Sequence, residues 1–285
     1  MKLFLISINP VDVFLWTFRK NEKDVITLYN TLSPVMQIAT GGTMLNFGFW
    51  SPNHLDPISA QNNLCDFFGN LSELSTAKNA IDVGSGLSAP SKLWRDSFPN
   101  LNLYDVNINF KQLCFSKHQK NIEFLNSTST KLPFNNNSVD RVLALESAQH
   151  FKPLSDFIAE SKRVLVKSGL LVIAIPITVK DSSFGKLGLL KFTWSSEHYS
   201  LDYLKNLITF NGFKIIDETL IGSHVYDPLA NYYIKNRKTL SKKILELYPG
   251  YMEKILYKSL LKMKKASQEK VIDYVLLKCI LNFKE

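Results

Sequence analysis

The run Ala80-Ile81-Asp82-Val83-Gly84-Ser85-Gly86-Leu87-Ser88 carries four mostly apolar residues into a turn with two glycines. A backbone that turns tightly and comes close to a ligand needs residues without a Cβ, and free N–H groups at the start of a following helix attract an anionic group. Taken alone, such a turn is equally compatible with a structural bend. About twenty residues on, Asp105-Val106-Asn107-Ile108-Asn109 closes a second apolar run, placing a polar side chain in reach of ribose hydroxyls and Ile108 against one face of a purine. Glu146 and His150 follow another apolar run. The imidazole titrates near neutral pH and suits a base that takes a proton from a hydroxyl or another weak nucleophile, although a histidine that caps the next helix reads the same way. Glu146 is placed to orient His150, to receive an acceptor or to hydrogen-bond a cofactor loop. Tyr29, Phe47, Phe49 and Trp50 are an aromatic group that suits either a cationic ligand or plain core packing.

These residues need a frame that brings strand ends together. Short apolar runs at 80–83, 101–106, 122–125, 141–145 and 170–175 alternate with stretches of helical spacing at 91–98, 110–117 and 153–165, the pattern of a mostly parallel sheet with helices on both faces. A helix at 201–210, a strand at 213–218 and a last apolar run at 271–280 follow. The Lys-rich stretch before that last run reads as helices broken at Pro249 and Gly250, a long insertion spanning 225–270. Residues 1–72 read as an N-terminal helical cap, and 73–285 as the main domain. The expected class is therefore α/β, with a Rossmann-like arrangement of strands and helices.

The ordered series continues through Ser127-Thr128-Ser129-Thr130-Lys131-Leu132-Pro133-Phe134, Ser138-Val139-Asp140-Arg141-Val142, Leu145-Glu146-Ser147-Ala148-Gln149-His150 and Arg163-Val164-Leu165. Over about 78–176 it resembles the class I S-adenosylmethionine-dependent methyltransferases. Asn107-Ile108-Asn109 and the Glu146 to His150 run look most like the small-molecule branch, which includes sugar O-methyltransferases and the sterol and tocopherol methyltransferases. Tyr29-Asn30 and the stretch Gly42 to Trp50 are similar to that branch's cap, which typically has a His where Asn46 stands. The resemblance implies a seven-stranded sheet with a reversed final hairpin and S-adenosylmethionine across the carboxyl ends of the strands, leaving S-adenosylhomocysteine as product.

Position by position, the resemblance puts Asp82, Gly84, Ser85 and Gly86 around the methionine part of the cofactor. It puts Asn107 at the ribose, Ile108 and Leu132 on the two faces of the adenine, and Ser127 or Thr128 where an Asp usually meets the adenine amino group. Tyr29 and Glu146 join the cofactor set, and His150 with Glu146 forms the catalytic pair. Phe49, Trp50, Trp194 and His198 are the expected acceptor residues. Three positions depart from the family pattern: Ser88 for a glycine, Asn107 for an acid and Thr128 for an Asp. Neutral side chains keep a hydrogen-bonding group but lose charge assistance, a loss of about 1 to 2 kcal/mol in cofactor binding.

Bulk properties narrow the rest. The 285 residues are 45% hydrophobic and 21% charged, which suits a packed domain and excludes disordered and fibrous classes. Three scattered cysteines and no clustered carboxylates leave neither a disulfide framework nor a metal site to expect. No membrane-spanning segment, signal peptide or anchor is read, and a cytoplasmic location is expected. The net charge of +9 is concentrated at 235–270, a solvated face or a surface for an anionic membrane carrying a lipid-like acceptor. No nucleic-acid motif accompanies it. Two further readings stay open: a methyltransferase-like binding module that docks through this basic surface, and a nicotinamide-dependent oxidoreductase, for which the later glycine of the dinucleotide pattern is missing.

Overall fold

The computed structural model describes residues 21–116, 121–179 and 197–282. Trp194 lies outside them. Seven strands form one sheet in the order β3-β2-β1-β4-β5-β7-β6. They are β1 (Asn79–Val83), β2 (Asn102–Val106), β3 (Ile122–Leu125), β4 (Val139–Leu145), β5 (Leu165–Thr178), β6 (Phe213–Leu220) and β7 (Ile272–Leu281). β1 to β5 are parallel, whereas β7 runs antiparallel between β5 and β6. The order reverses beside β1, so β1 and β4 splay their outgoing connections to opposite faces and leave a crevice beyond their carboxyl ends.

Eight α-helices lie among the described residues: α1 (Glu22–Thr40), α2 (Pro57–Leu71), α3 (Ala89–Ser97), α4 (Phe110–Ser116), α5 (Leu154–Val164), α6 (Leu201–Phe210), α7 (Tyr226–Leu247) and α8 (Gly250–Gln268). Side chains alternate across the sheet, so Ala80, Leu143, Val172 and Tyr274 face one layer while Ile81, Val142, Ile173 and Leu277 face the other. The first layer holds Leu64, Phe68, Trp94, Tyr226 and Met252 from α2, α3, α7 and α8. The second holds Phe157, Ile158, Leu204 and Ile208 from α5 and α6. Each such fully buried side chain stabilises the fold by about 1.5 to 3 kcal/mol. Trp94 stacks on Phe68, and its indole N–H donates to the Cys65 carbonyl at 2.8 Å, so its one polar atom is satisfied inside the core.

Local chemistry sets the ends of the first two helices. The Asn21 side chain accepts from the Asp24 N–H to start α1, and Gly41 ends it in the left-handed region at φ 79°. Asp56 caps α2, with Pro57 at its first turn. α7 and α8 fill the connection between β6 and β7, and the break falls at Pro249 and Gly250 as expected. β5 starts earlier than the expected 170, because Leu165 already pairs with Val139 before an irregularity in the ladder. Of the apolar residues in the basic insertion, Met252, Leu260 and Met263 are buried in the first layer, while Leu245, Ile255 and Leu261 are exposed among lysines. No helix among the described residues is long and apolar enough to cross a membrane.

Candidate active site

A cleft enclosing about 1000 Å³, its open mouth included, lies at the carboxyl ends of β1, β2 and β4. Its floor is the glycine turn after β1, one side is the segment from Asn107 to Asn109, and the 127–129 turn closes the far end. At the inner end stand Glu146 and His150, and α1 forms the roof through Glu22, Val25, Ile26 and Tyr29. Those four residues share one helical face by their spacing.

The turn has its shape for steric reasons. Gly84 sits at φ 77°, and a Cβ there would lie 2.5 Å from the Ser147 Cβ, so the chain after β4 can close onto it only if the position is bare. Ser147 fixes that approach by donating from Oγ to the Val83 carbonyl at 2.6 Å. Gly86, at φ 58°, has only Leu45 within reach of an added Cβ, at 3.7 Å, so its bare face opens on the cleft. Ser85 also lines the cleft, and its buried hydroxyl lacks a protein partner. A backbone wall without Cβ atoms beside an unspent hydroxyl is what the charged tail of an adenosylmethionine needs, and the expected cofactor fits these residues. Ser88 adopts the left-handed region at φ 58°, the conformation for which the family pattern has a glycine.

Asp82 stands beneath this turn rather than in the cleft wall. It is level with Asp105 on the neighbouring strand, and the Ser91 hydroxyl lies 2.9 Å from one carboxylate and 2.6 Å from the other. One hydroxyl proton cannot serve two charged acceptors. Burial pushes both carboxyl groups above the usual carboxylate range, and their mutual repulsion pushes Asp82 further. The Ser91 hydroxyl thus sits between the two strands under the loop.

Asn107 is in the wall but its amide is committed: Nδ2 donates to the Gly86 carbonyl at 3.1 Å and to Gln112 Oε1 at 3.0 Å, and Oδ1 accepts from the Asn109 N–H at 2.9 Å. It therefore ties the end of β2 to the glycine turn. Ile108, Ser127 and Thr128 also line the cleft. Leu132 is buried behind the 127–131 turn, where its N–H donates to Glu160, and is not in the described wall.

Glu146 has a left-handed backbone at φ 52° and a half-buried side chain at the inner end of the cleft. Its Oε1 accepts from the Phe47 N–H at 2.9 Å and from the Tyr274 hydroxyl at 3.1 Å. Burial outweighs those two hydrogen bonds and raises the carboxyl to about 8, so it carries its proton at neutral pH. Tyr29 is hydrogen-bonded through its hydroxyl to His150 Nε2 at 2.8 Å. Burial, with Glu146 nearby, holds the Tyr29 phenol in its neutral form. The cap segment is itself pinned from α2: Gln61 donates to the carbonyls of Met44 and Asn46, and Gly48 lies against the backbone of Ala60. Asn46 lines the cleft, with Oδ1 accepting from the Gly48 N–H and Nδ2 beside Cys65 Sγ.

The remaining expected acceptor residues lie elsewhere. Phe49 packs on Phe67 and His224, and Trp50 packs on Tyr232 while donating to the Phe47 carbonyl, so both serve cap packing outside the described cleft wall. His198 precedes α6 and is likewise outside that wall. Sequence reasoning missed Glu22, Val25, Ile26 and Gln112 in the wall and Tyr274 behind Glu146. The helical spacing of 22, 25, 26 and 29 was a legible signal for a shared face, but not for which face covers a ligand. Among the described residues no group of His, Cys, Asp or Glu has the arrangement of a metal site.

Comparison with known proteins agrees with this geometry. Residues 81–173 match the family model described as a methyltransferase domain. Erythromycin 3''-O-methyltransferase of Saccharopolyspora erythraea is 25% identical over 176 residues, 59% of this chain and 58% of that protein. The chain thus spans a little over half the length of this curated relative. The solved structure of the [4+2]-cyclase SpnF superposes with a TM-score of 0.73 at 15% identity, covering 93% of this chain and 97% of that one. Geranyl diphosphate C-methyltransferase from Streptomyces coelicolor, solved with S-adenosylhomocysteine and geranyl diphosphate, gives 0.70 at 12% identity over 91% of this chain and 97% of its own. One of these neighbours is named for a cyclisation, so the shared fold does not by itself select a reaction.

Proposed function

We propose that the chain, which carries a class I S-adenosylmethionine-dependent methyltransferase domain, transfers a methyl group to a hydroxyl oxygen of a small organic or lipid-like acceptor. The observation that carries this reading is the continuity of one cleft from the bare glycine turn to the Tyr29–His150 pair. When bound, S-adenosylmethionine supplies a methyl carbon made electrophilic by its sulfonium. Gly84, Ser85, Gly86 and Asp82 shape the methionine end, with Asp82 acting from below the loop. Asn107 orders the ribose end, and Ile108, Ser127, Thr128 and Leu132 form and back the base end.

Much of the rate in a methyl displacement comes from holding the reactants in line in a dry pocket. The roof residues Val25 and Ile26 with Leu45 supply that exclusion of water. The acceptor hydroxyl loses its proton towards His150 Nε2. Because Tyr29 already occupies that nitrogen, its hydroxyl accepts the proton as it donates its own to the imidazole. Glu146, protonated and anchored by Phe47 and Tyr274, stands by as a neutral hydrogen-bonding acid at the acceptor end. No Lys or Arg is among the described residues of the wall, which favours an acceptor without phosphate groups.

Calorimetric titration with S-adenosylmethionine and S-adenosylhomocysteine tests the reading before an acceptor is known. Micromolar binding supports it. Absence of binding to either overturns it in favour of a docking module. With an acceptor in hand, His150→Ala should keep cofactor binding and lose turnover; unchanged turnover removes His150 from the mechanism. A lipid-like acceptor would be met through the exposed Ile255 and Leu261 of α8, set among Lys254, Lys258 and Lys265. Sedimentation with anionic vesicles should then fall as salt rises, and absence of sedimentation removes the membrane.

A further inference from the structure

The far end of the cleft holds a carboxylate that the family pattern does not account for. Glu22, the first residue of α1, lines the cleft and accepts a hydrogen bond at Oε1 from the Thr128 hydroxyl at 2.5 Å, across 106 positions of sequence. Thr128 stands in the turn after β3, and its proton is spent on Glu22. The hydroxyl has only Thr130 besides, at 3.2 Å. Glu22 and Glu146 are the only carboxylate residues among the described lining, and they stand at opposite ends of it.

The layout of the cleft says what meets this carboxylate. A nucleoside whose phosphate-like or charged tail lies on the glycine turn has its ribose at the end of the second strand, here Asn107. Its base then lies beyond the ribose, against Ile108, with its outer edge towards Thr128 and Glu22. An ionised carboxylate accepts hydrogen bonds and donates none, so it suits a base edge that presents an amino group and opposes one that presents a carbonyl oxygen.

We propose that Glu22 reads the exocyclic amine of the cofactor's adenine, with Thr128 orienting the carboxylate. The side chain thus supplies from the N-terminal helix the charged acceptor that position 128 lacks. This rests on the methyltransferase reading above. It also joins base recognition to the chemistry, because Tyr29 lies two turns further along the same helix face and holds His150.

The test is binding, without turnover. The full chain and its Glu22→Gln and Glu22→Ala variants are titrated with S-adenosylhomocysteine and with S-inosylhomocysteine, which carries a carbonyl oxygen in place of the amine. The parent should prefer the adenine compound by at least about tenfold, the value of a charged hydrogen bond. In Glu22→Gln, whose amide turns to donate or accept, the preference should fall to within about threefold. Glu22→Ala should bind S-adenosylhomocysteine at least fivefold more weakly than the parent. Retention of the parent's preference and affinity in both variants overturns the role of Glu22 while leaving the cofactor assignment standing. Failure of the parent to bind either compound overturns the methyltransferase reading itself, and this inference with it. Glu22 is exposed at a helix start, so the variants fold, and matched thermal melts check that.

Discussion

The hydroxyl of Tyr29 and Nε2 of His150 lie 2.8 Å apart although 121 residues separate them, and the two rings meet edge to face. The contact joins the roof helix to the loop after β4, so His150 and the helix over the cleft are held together by one hydrogen bond. Tyr29→Phe keeps the ring packing and removes only the hydroxyl. Turnover should fall about fivefold to tenfold, the value of roughly 1 kcal/mol, while S-adenosylhomocysteine binding changes by less than twofold. The pH profile of turnover should shift as well, because His150 loses the partner on its nitrogen. A variant with the parent's rate and profile would remove Tyr29 from the proton path.

Gly84 and Gly86 both have positive φ, yet they differ in what a side chain would strike. Gly84→Ala puts a methyl into Ser147 and should cost on the order of 3 kcal/mol in urea unfolding, from overpacking and the left-handed backbone together. Gly86→Ala meets open cleft, so the fold should lose only about 1 to 2 kcal/mol of backbone strain while cofactor binding drops at least tenfold. Equal destabilisation by the two substitutions would contradict the assignment of Gly86 to the cleft wall.

Glu146 links stability to pH with a definite sign. Its carboxyl is raised from an ordinary 4.5 to about 8, so the folded chain holds a proton that the unfolded chain releases. That contribution is complete below about 4.5, declines as pH rises and is gone above about 8. Glu146→Gln should remove the decline and gain on the parent by on the order of 3 kcal/mol between pH 5 and pH 8. Urea midpoints at those two pH values decide it, and parallel curves for parent and variant would place the carboxyl in its ordinary range.

Arg141 offers a control remote from the cleft. Buried at the opposite end of the sheet, it donates to the Ser72 carbonyl at 2.6 Å, the Asp140 carbonyl at 2.9 Å and the Thr76 hydroxyl at 2.9 Å. Arg141→Ala would leave these acceptors unpaired and should lower stability by about 3 kcal/mol. Affinity for S-adenosylhomocysteine should be unchanged at a temperature where the variant is folded. A loss of affinity larger than a few-fold would mean that the two ends of the sheet are coupled.

Local pattern was enough for the frame. Apolar runs of strand length bounded by polar turns placed β1 to β4 within a residue or two, and Gly84 and Gly86 announced the turn because few other residues tolerate positive φ. His150 and Glu146 were legible from their distance after an apolar run. The cleft wall was less so. Phe49 and Trp50 have the composition of a ligand pocket, yet their partners Phe67, His224 and Tyr232 come from α2, the turn before α7 and α7 itself, and no local spacing shows which aromatic group will find which neighbour.

The sequence by itself determined the alternation of strands and helices, the bare turn after β1 and the residue types available for proton transfer, because each depends on backbone sterics or side-chain chemistry within a few residues. Only the tertiary structure decided that Asp82 sits under the loop with Asp105, that Asn107 spends its amide on Gly86 and Gln112, and that Glu22 meets Thr128 at the far end of the cleft. Those are pairings between distant segments. They are selected by how the layers pack and which polar groups are buried together, and burial is a property of the whole fold.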